Sequence, residues 1–369
     1  MRVLIIYEHC SPHQVTAVEH SRQMFQNQGH ELIPLELYYG STDYTWTLHD
    51  KQRPEQWLCL YPDKKKVSDF KLFQAVRDKV KKLGIDVLVV NGWYGNYVRW
   101  MVLLKRWLRC RMVMVSDSVY WDVPRSWIKE LSKKWMLRGI DAGFVAGAPQ
   151  ANYLQSLGMA AHQLSLGCDV VDNDLYSSIP LRSNPSGRKI VIGTAARLVP
   201  KKNLSSAMRA FDAVRWNHSE LTLEWRIAGQ GPLEAELKQL AQELQAPVAF
   251  QGFVGYYDMP GFYQQLDLYW QPSLSEPWGL VVNEAMAAGL PIVVSDRCGC
   301  AHDLVTSSNG WIHQLSEQGM TECLEQALAE QDHWPQRGHV SRELIKQWDV
   351  SRYSEGLLQA CLIAFESNR

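Results

Sequence analysis

Apolar and polar positions along this chain alternate in blocks. Residues 3–7 form a short unbroken apolar run, residues 16–28 carry helical spacing closed by Gly29, and residues 31–37 read as a second strand. The order recurs with a helix over 70–83 closed by Gly84, a strand over 86–91, a helix over 97–109 and a strand over 112–116. Short apolar runs separated by helices of about three turns predict βα units and a parallel sheet buried on both faces. The alternation stalls at the polar, turn-rich stretch 181–188, which is read as a linker. It restarts with strands over 189–194, 222–228, 248–251, 266–271 and 291–295, and helices over 205–214 and 234–245. The expected fold class is α/β, with two Rossmann-like domains in tandem over residues 1–180 and 188–347 that face a central cleft. In open sheets of this kind ligands bind beyond the carboxyl ends of the strands, so the chemistry is sought in the loops that follow them.

The richest such loop follows the strand over 266–271 and reads Ser273-Leu-Ser-Glu276-Pro-Trp278-Gly279-Leu280-Val-Val-Asn-Glu284. Gly279 opens a helix, whose unpaired N–H groups and positive dipole end suit a phosphate. Glu276 precedes that helix and Glu284 lies in its early turns, so both carboxylates can accept hydrogen bonds from sugar or ribose hydroxyls in one site. After the first strand of the second domain comes Gly193-Thr-Ala-Ala-Arg197-Leu-Val-Pro-Lys201-Lys202-Asn203. Arg197 supplies a planar fork and Lys202 a point charge, a pairing suited to a diphosphate. Glycine turns follow two further strands, at Gly229-Gln-Gly231 and at Gly252-Phe253-Val254, where exposed backbone can pair with a base edge.

Taken together, residues 188–350 resemble the retaining GT-B glycosyltransferases of family four. Glu276 and Glu284 match the family's Glu-x7-Glu pair, and Arg197 and Lys202 its Arg-x4-Lys pair. Gly229 with Gly231, and Gly252 to Val254, match two further elements in the same order. The resemblance implies transfer of a sugar from a nucleotide diphosphate donor, UDP-linked or GDP-linked, to a hydroxyl acceptor, without a cofactor or metal. Glu276, Arg197 and Lys202 are then expected in catalysis. Glu284, Gly279, Leu280, Trp278, Gly229, Gly231, Phe253, Val254 and Asn203 are expected at the donor. The family also implies a last helix crossing back to the first domain, for which residues 348–369 are the candidate. The first half departs from the pattern. The usual Gly-Gly loop reads Glu8-His9-Cys10-Ser11-Pro12-His13-Gln14, and the usual His after the fourth strand is missing from Val115-Ser116-Asp117-Ser118. Asp117 takes the place of that His, and His9, His13 and Trp93 are expected on the acceptor side. A silent nucleotide-sugar-binding module, an epimerase and a phosphorylase are the alternatives on the same fold.

Composition narrows the picture further. Lys plus Arg number 38 and Asp plus Glu 39, so the bulk phosphate attraction of a nucleic-acid binder is missing. No apolar run approaches the roughly 18–20 residues that span a bilayer, and the first residues read as a strand rather than a secretory signal, so a cytoplasmic location is expected. Eight scattered cysteines offer no ligand spacing and read as reduced thiols. The pair Asp172 and Asp174 reads as an Asx turn rather than a metal site.

Charge is uneven along this near-neutral chain. Residues 99–138 hold 10 basic and 3 acidic side chains. Within the helix over 97–109, Trp100, Leu103, Leu104, Trp107 and Leu108 share one row. The favoured expectation packs that row on the sheet and leaves the cations wet. The alternative is a basic face, with Lys129, Lys133, Lys134 and Arg138 on a second helix, that docks on anionic lipid and serves a lipid-linked acceptor at the inner membrane face.

Overall fold

The computed structural model describes the chain except residues 39–53, 55, 63–66, 94–95, 123–124, 184–188 and 368–369. Most of the expected linker therefore lies outside the described residues. The chain divides into one unit of Met1–Val170 with Val350–Arg369, and a second of Val171–Asp349.

In the first unit the elements run β1 (Arg2–Tyr7), α1 (Pro12–Asn27), β2 (Glu31–Tyr38), β3 (Leu58–Tyr61), α2 (Asp69–Leu83), β4 (Val87–Asn91), α3 (Asn96–Leu103) and α4 (Lys105–Leu108). They continue with β5 (Arg111–Ser116), α5 (Trp127–Leu137), β6 (Ala142–Val145), α6 (Ala148–Ser156) and β7 (Leu164–Leu166). The seven strands are ordered β3-β2-β1-β4-β5-β6-β7, and every pairing is parallel. Val3 to Ile6 are fully buried, as a strand covered on both faces requires. Strand β3, at the sheet edge, and the short β6 and β7 escape the sequence reading, being too brief to carry a period.

The second unit opens with β8 (Ile190–Ala195), α7 (Leu204–Asn217), β9 (Leu223–Ala228), α8 (Glu234–Glu243), β10 (Val248–Gly252), α9 (Met259–Tyr263), β11 (Leu268–Gln271) and α10 (Leu280–Ala287). It closes with β12 (Ile292–Ser295), α11 (Ala301–Leu304), β13 (Gly310–His313), α12 (Glu317–Ala329) and α13 (Trp334–Ile345). Its parallel sheet is ordered β10-β9-β8-β11-β12-β13. Trp225 and Trp270 lie at its core with ring centroids 5.0 Å apart, so some of the chain's 15 tryptophans fill the interior.

Helix α14 (Val350–Glu366) belongs to the first unit. It packs on α1, and Ser21 and Ser354 share a buried hydroxyl contact of 2.9 Å while Tyr7 and Tyr353 meet at 2.6 Å. The division differs from the expected one at its other end. Residues 171–180, read as the end of the first domain, belong to the second unit, where Tyr176 packs edge-on against Tyr263 at 5.8 Å.

The helix expected over 97–109 is broken at Leu104, and Arg109 takes a left-handed φ of 55°. Its expected packing row is split. Leu108 is buried and Leu104 packs against the core, but Trp100, Leu103 and Trp107 are exposed, and Tyr97, Val98, Met101 and Val102 are buried in their place.

Candidate active site

Strand order reverses in the second unit between β8, which runs toward β9, and β11, which leads to β12. Loops diverge on either side of such a switch point and leave room for a ligand at the strands' carboxyl ends. The loop after β8 carries Arg197 and Lys202, and the loop after β11 carries Glu276.

These two loops are held together by Leu274, whose N–H donates to the Lys201 carbonyl at 2.8 Å. Across that seam the Lys202 ammonium pairs with Glu276 Oε2, both side chains being nearly buried. Ser273 Oγ approaches the same oxygen at 3.5 Å. Glu276 is fixed from the far side as well. Its N–H donates to the Arg297 carbonyl at 3.0 Å, and its carbonyl accepts from the Gly299 N–H at 2.9 Å. The loop after β12 therefore braces Glu276, a contribution the sequence reading missed because nothing near Glu276 in sequence points to residues 297–300. Cys298 lies in that brace, and burial pushes its thiol up to about 12, so it is not a nucleophile at neutral pH.

Gly279 starts α10 with φ 109°, which glycine alone adopts readily. A Cβ there would lie 3.2 Å from Glu276 Cγ. The expected donor contact of Trp278 falls on its backbone at most, because the indole is buried, stacks on Trp348 at 5.4 Å and donates to Asn283 Oδ1 at 3.0 Å. Leu280 is half-buried at the first turn.

Glu284 is buried one turn further along. Tyr263 donates its hydroxyl to Glu284 Oε2 at 2.7 Å, and the fully buried Tyr176 interacts with the same carboxyl. Burial pushes the carboxyl up to about 7 despite both phenols favouring its charged form. Tyr176 and Tyr263 carry no local motif. Their relevance appears only once α9 and residues 173–176 are packed against α10.

The glycine turns sit beside the same loops. Ala196 N–H donates to the Ala228 carbonyl at 2.9 Å and Leu198 N–H to the Gln230 carbonyl at 2.9 Å. A Cβ on Gly229 would fall 1.9 Å from the Ala196 carbonyl oxygen, and one on Gly231 2.4 Å from that of Leu198. Only glycines permit this approach. Gly229 N–H also donates to the Gly252 carbonyl at 2.7 Å, which brings the Phe253 loop alongside. Phe253 is exposed and Val254 half-buried. Arg197 is exposed on its loop, while Asn203 takes a left-handed φ of 59° to turn the chain into α7.

In the first unit the switch point falls between β1 and β4; the loop after β1 carries His9, the first turn of α1 carries His13, and the loop after β4 carries Trp93. His13 Nε2 meets Ser11 Oγ at 2.9 Å, and burial lowers its pKa to about 4, so its imidazole is neutral. His9 is half-buried. Trp93 is half-buried with Lys133 over its ring at 5.2 Å. Asp117 is exposed just after β5. The Asp172 carboxylate accepts from the Asp174 N–H at 3.1 Å, which is the Asx turn the sequence suggests.

Residues 179–341 match the family described as glycosyl transferases group 1. Among curated relatives, an uncharacterized glycosyltransferase of Methanocaldococcus jannaschii is 30% identical over 137 residues, covering 36% of this chain and 34% of its own. The GPI3 subunit of phosphatidylinositol N-acetylglucosaminyltransferase from Saccharomyces cerevisiae is 24% identical over 268 residues, covering 70% and 59%. The matches thus span about a third to three fifths of these relatives. Among solved structures, sucrose-phosphate synthase of Thermosynechococcus elongatus aligns with a TM-score of 0.75 at 17% identity, covering 100% of both chains. HepE of Anabaena in complex with UDP-glucose aligns with a TM-score of 0.73 at 16% identity, covering 97% and 98%. The chain has the GT-B fold, and its residues 179–341 match the model of the group 1 glycosyltransferases.

Proposed function

We propose that this protein is a retaining glycosyltransferase that moves a hexosyl group from a nucleotide diphosphate sugar to a hydroxyl acceptor in glycan or glycolipid synthesis. The observation that carries this reading is the Lys202–Glu276 pair at the switch point of the second sheet, beside the opening of α10. An ammonium has three donors, so Lys202 can keep Glu276 oriented and still reach a phosphate oxygen. Glu276 orients the transferred sugar and Glu284 the ribose. As the bond from the anomeric carbon to the diphosphate breaks, its electron pair goes to the phosphate oxygen, the acceptor oxygen bonds to the anomeric carbon, and the acceptor's hydroxyl proton passes to the departing diphosphate. Arg197, Lys202 and the N–H groups at the start of α10 stabilise that charge without a metal.

A uridine donor is favoured, with GDP as the second choice. The support is that solved relatives of this fold are described in complex with UDP and UDP-glucose. Phe253 and Val254 flank the base, and Asn203, Gly229 and Gly231 keep the loops around it in register. In the first unit Asp117 takes the part of the missing His, with His9, His13 and Trp93 toward the acceptor. The acceptor is proposed to be lipid-linked, with the protein peripheral at the cytoplasmic membrane face. Support comes from the cationic stretch 99–138 and from a relative whose name makes phosphatidylinositol its substrate.

Proton NMR of the product made from an α-linked donor tests the stereochemistry. An α-linked product is expected, and a β-linked one overturns retention. A thermal-shift screen of nucleotide sugars ranks the donors, since a ligand at 100 times its Kd adds about 2.7 kcal/mol of stability.

A further inference from the structure

The first unit leaves an apolar face open to solvent. On α5, Trp127 is 76% exposed, Ile128 60%, Leu131 59% and Trp135 48%. Positions 127, 131 and 135 follow one another at helical spacing, so they form a single stripe opposite the buried Met136 and Leu137. Neighbouring α3 adds Leu103, 50% exposed, and α4, which packs on α3, adds Trp107, 65% exposed. Large side chains in such numbers on one set of helices mark an interaction surface, where isolated exposed residues would not.

Charge selects the partner. Arg99, Arg109, Lys134 and Arg138 are exposed on these same helices and their ends. On α5, Lys134 and Arg138 flank the tryptophan stripe. The one acidic residue of α5, Glu130, is taken up by Arg125 and Lys133 at 3.4 and 3.1 Å. An apolar stripe bordered by unneutralised cations, rich in indoles and nearly clear of free carboxylates, suits the headgroup layer of an anionic bilayer. Indoles lie half-buried there and Lys and Arg extend to the phosphates. No described helix is long and apolar enough to cross a membrane, so the contact is with one leaflet.

We infer that the outward faces of α3, α4 and α5 insert into an anionic phospholipid surface, with the apolar residues providing the hold and the cations the selectivity. This deepens the membrane reading above. That reading rested on cations and implies attachment that salt removes, whereas an inserted tryptophan stripe keeps the protein bound when charges are screened.

Vesicles of phosphatidylcholine, alone or mixed with phosphatidylglycerol, are sedimented with the full chain at low salt and at about 1 M salt, where the screening length is about 3 Å. Binding to the anionic vesicles is expected to weaken but persist at high salt, with quenching of tryptophan fluorescence by brominated lipid. The triple variant Trp127→Ser, Leu131→Ser, Trp135→Ser is expected to lose at least about tenfold in partitioning with its melting temperature unchanged. Lys134→Gln with Arg138→Gln should weaken binding at low salt toward the level wild type shows at high salt, with the quenching of the bound protein kept. Complete release by salt, or no binding to either vesicle, overturns the inference. So does a dimer in sedimentation velocity that the triple variant abolishes, since a second copy would then own this face. Vesicle binding by a chain that transfers no sugar would overturn the catalytic reading and leave this one standing.

Discussion

Lys202 and Glu276 lie 74 positions apart and form an ion pair across the seam between the loops that follow β8 and β11. Both are nearly buried, so each charge depends on the other. Removing one partner leaves the other desolvated and unpaired, which commonly costs several kcal/mol. Lys202→Ala should therefore cut turnover by at least ~10-fold, because a charge-assisted contact is worth about 1.5–3 kcal/mol. Glu276→Ala should do likewise. In a double-mutant cycle the two losses should be far from additive, as expected of groups that act as one unit. Additive losses would show that the pair is incidental. Arg197→Ala, on the neighbouring exposed position, should also lose about tenfold and should add to either.

Glu284 gives a pH dependence with a definite sign. Its carboxyl is raised by burial to about 7, well above its ordinary 4.5. A ribose hydroxyl is best held by the ionised form, so donor affinity should fall as pH drops through about 7. Stability runs the other way. The folded value exceeds the unfolded one, so the protein is relieved of an ionisation penalty as pH falls from 7 toward 4.5 and bears all of it above 7. That penalty is on the order of 3 kcal/mol. Glu284→Gln should bind donor poorly yet melt a few degrees higher at pH 8, with the gain vanishing near pH 4. A variant no more stable than wild type at pH 8 would contradict the buried, ionised carboxylate.

Tyr263 should tune that switch. Its hydroxyl lies 2.7 Å from Glu284 Oε2 and 3.1 Å from the Val281 carbonyl, and its one proton can serve only one of them. Tyr263→Phe removes a donor that favours the carboxylate, so the donor-binding profile should move to higher pH. An unshifted profile with weaker stability would make Tyr263 a packing residue only.

Gly229 sits where a Cβ would fall 1.9 Å from a backbone oxygen, at φ 137°. Gly229→Ala should push the β8 and β9 loops apart, costing at least ~1 kcal/mol of stability and weakening donor affinity more than acceptor affinity. Equal donor affinity in calorimetry would place the donor elsewhere.

The sequence reading recovered five of the six strands of the second unit, missing the short β13, and it located its motifs in the loops that follow strands, because each motif is local. It failed where partners are distant or where periodicity offers two answers. Tyr263 and Tyr176 reach Glu284 only through the packing of α9 and residues 173–176 on α10. The Trp278 indole turns inward because Trp348, 70 positions on, provides the stacking partner. On α3 both rows are apolar, and Tyr97, Val98, Met101 and Val102 won the sheet face over the bulkier Trp100 and Leu103. An apolar row identifies a helix, but a second apolar row leaves its orientation open, and here the displaced row became the proposed membrane face.

A metal-free scheme makes a further claim, since Arg197, Lys202 and the α10 N-terminus carry the diphosphate charge alone. Turnover should be unaffected by chelator and lost in Lys202→Ala. Loss on chelation with recovery in Mn²⁺ would overturn it.

The central claim is that this chain transfers a sugar from a nucleotide diphosphate donor, using the Lys202–Glu276 site. Phosphorus NMR of UDP-sugars and GDP-sugars incubated with the protein and a membrane extract as acceptor source reads it directly. The account predicts release of nucleoside diphosphate by the wild-type chain, slowed at least ~10-fold in Lys202→Ala and in Glu276→Ala. Donor that binds but stays intact, or release that is equal in all three proteins, would contradict it.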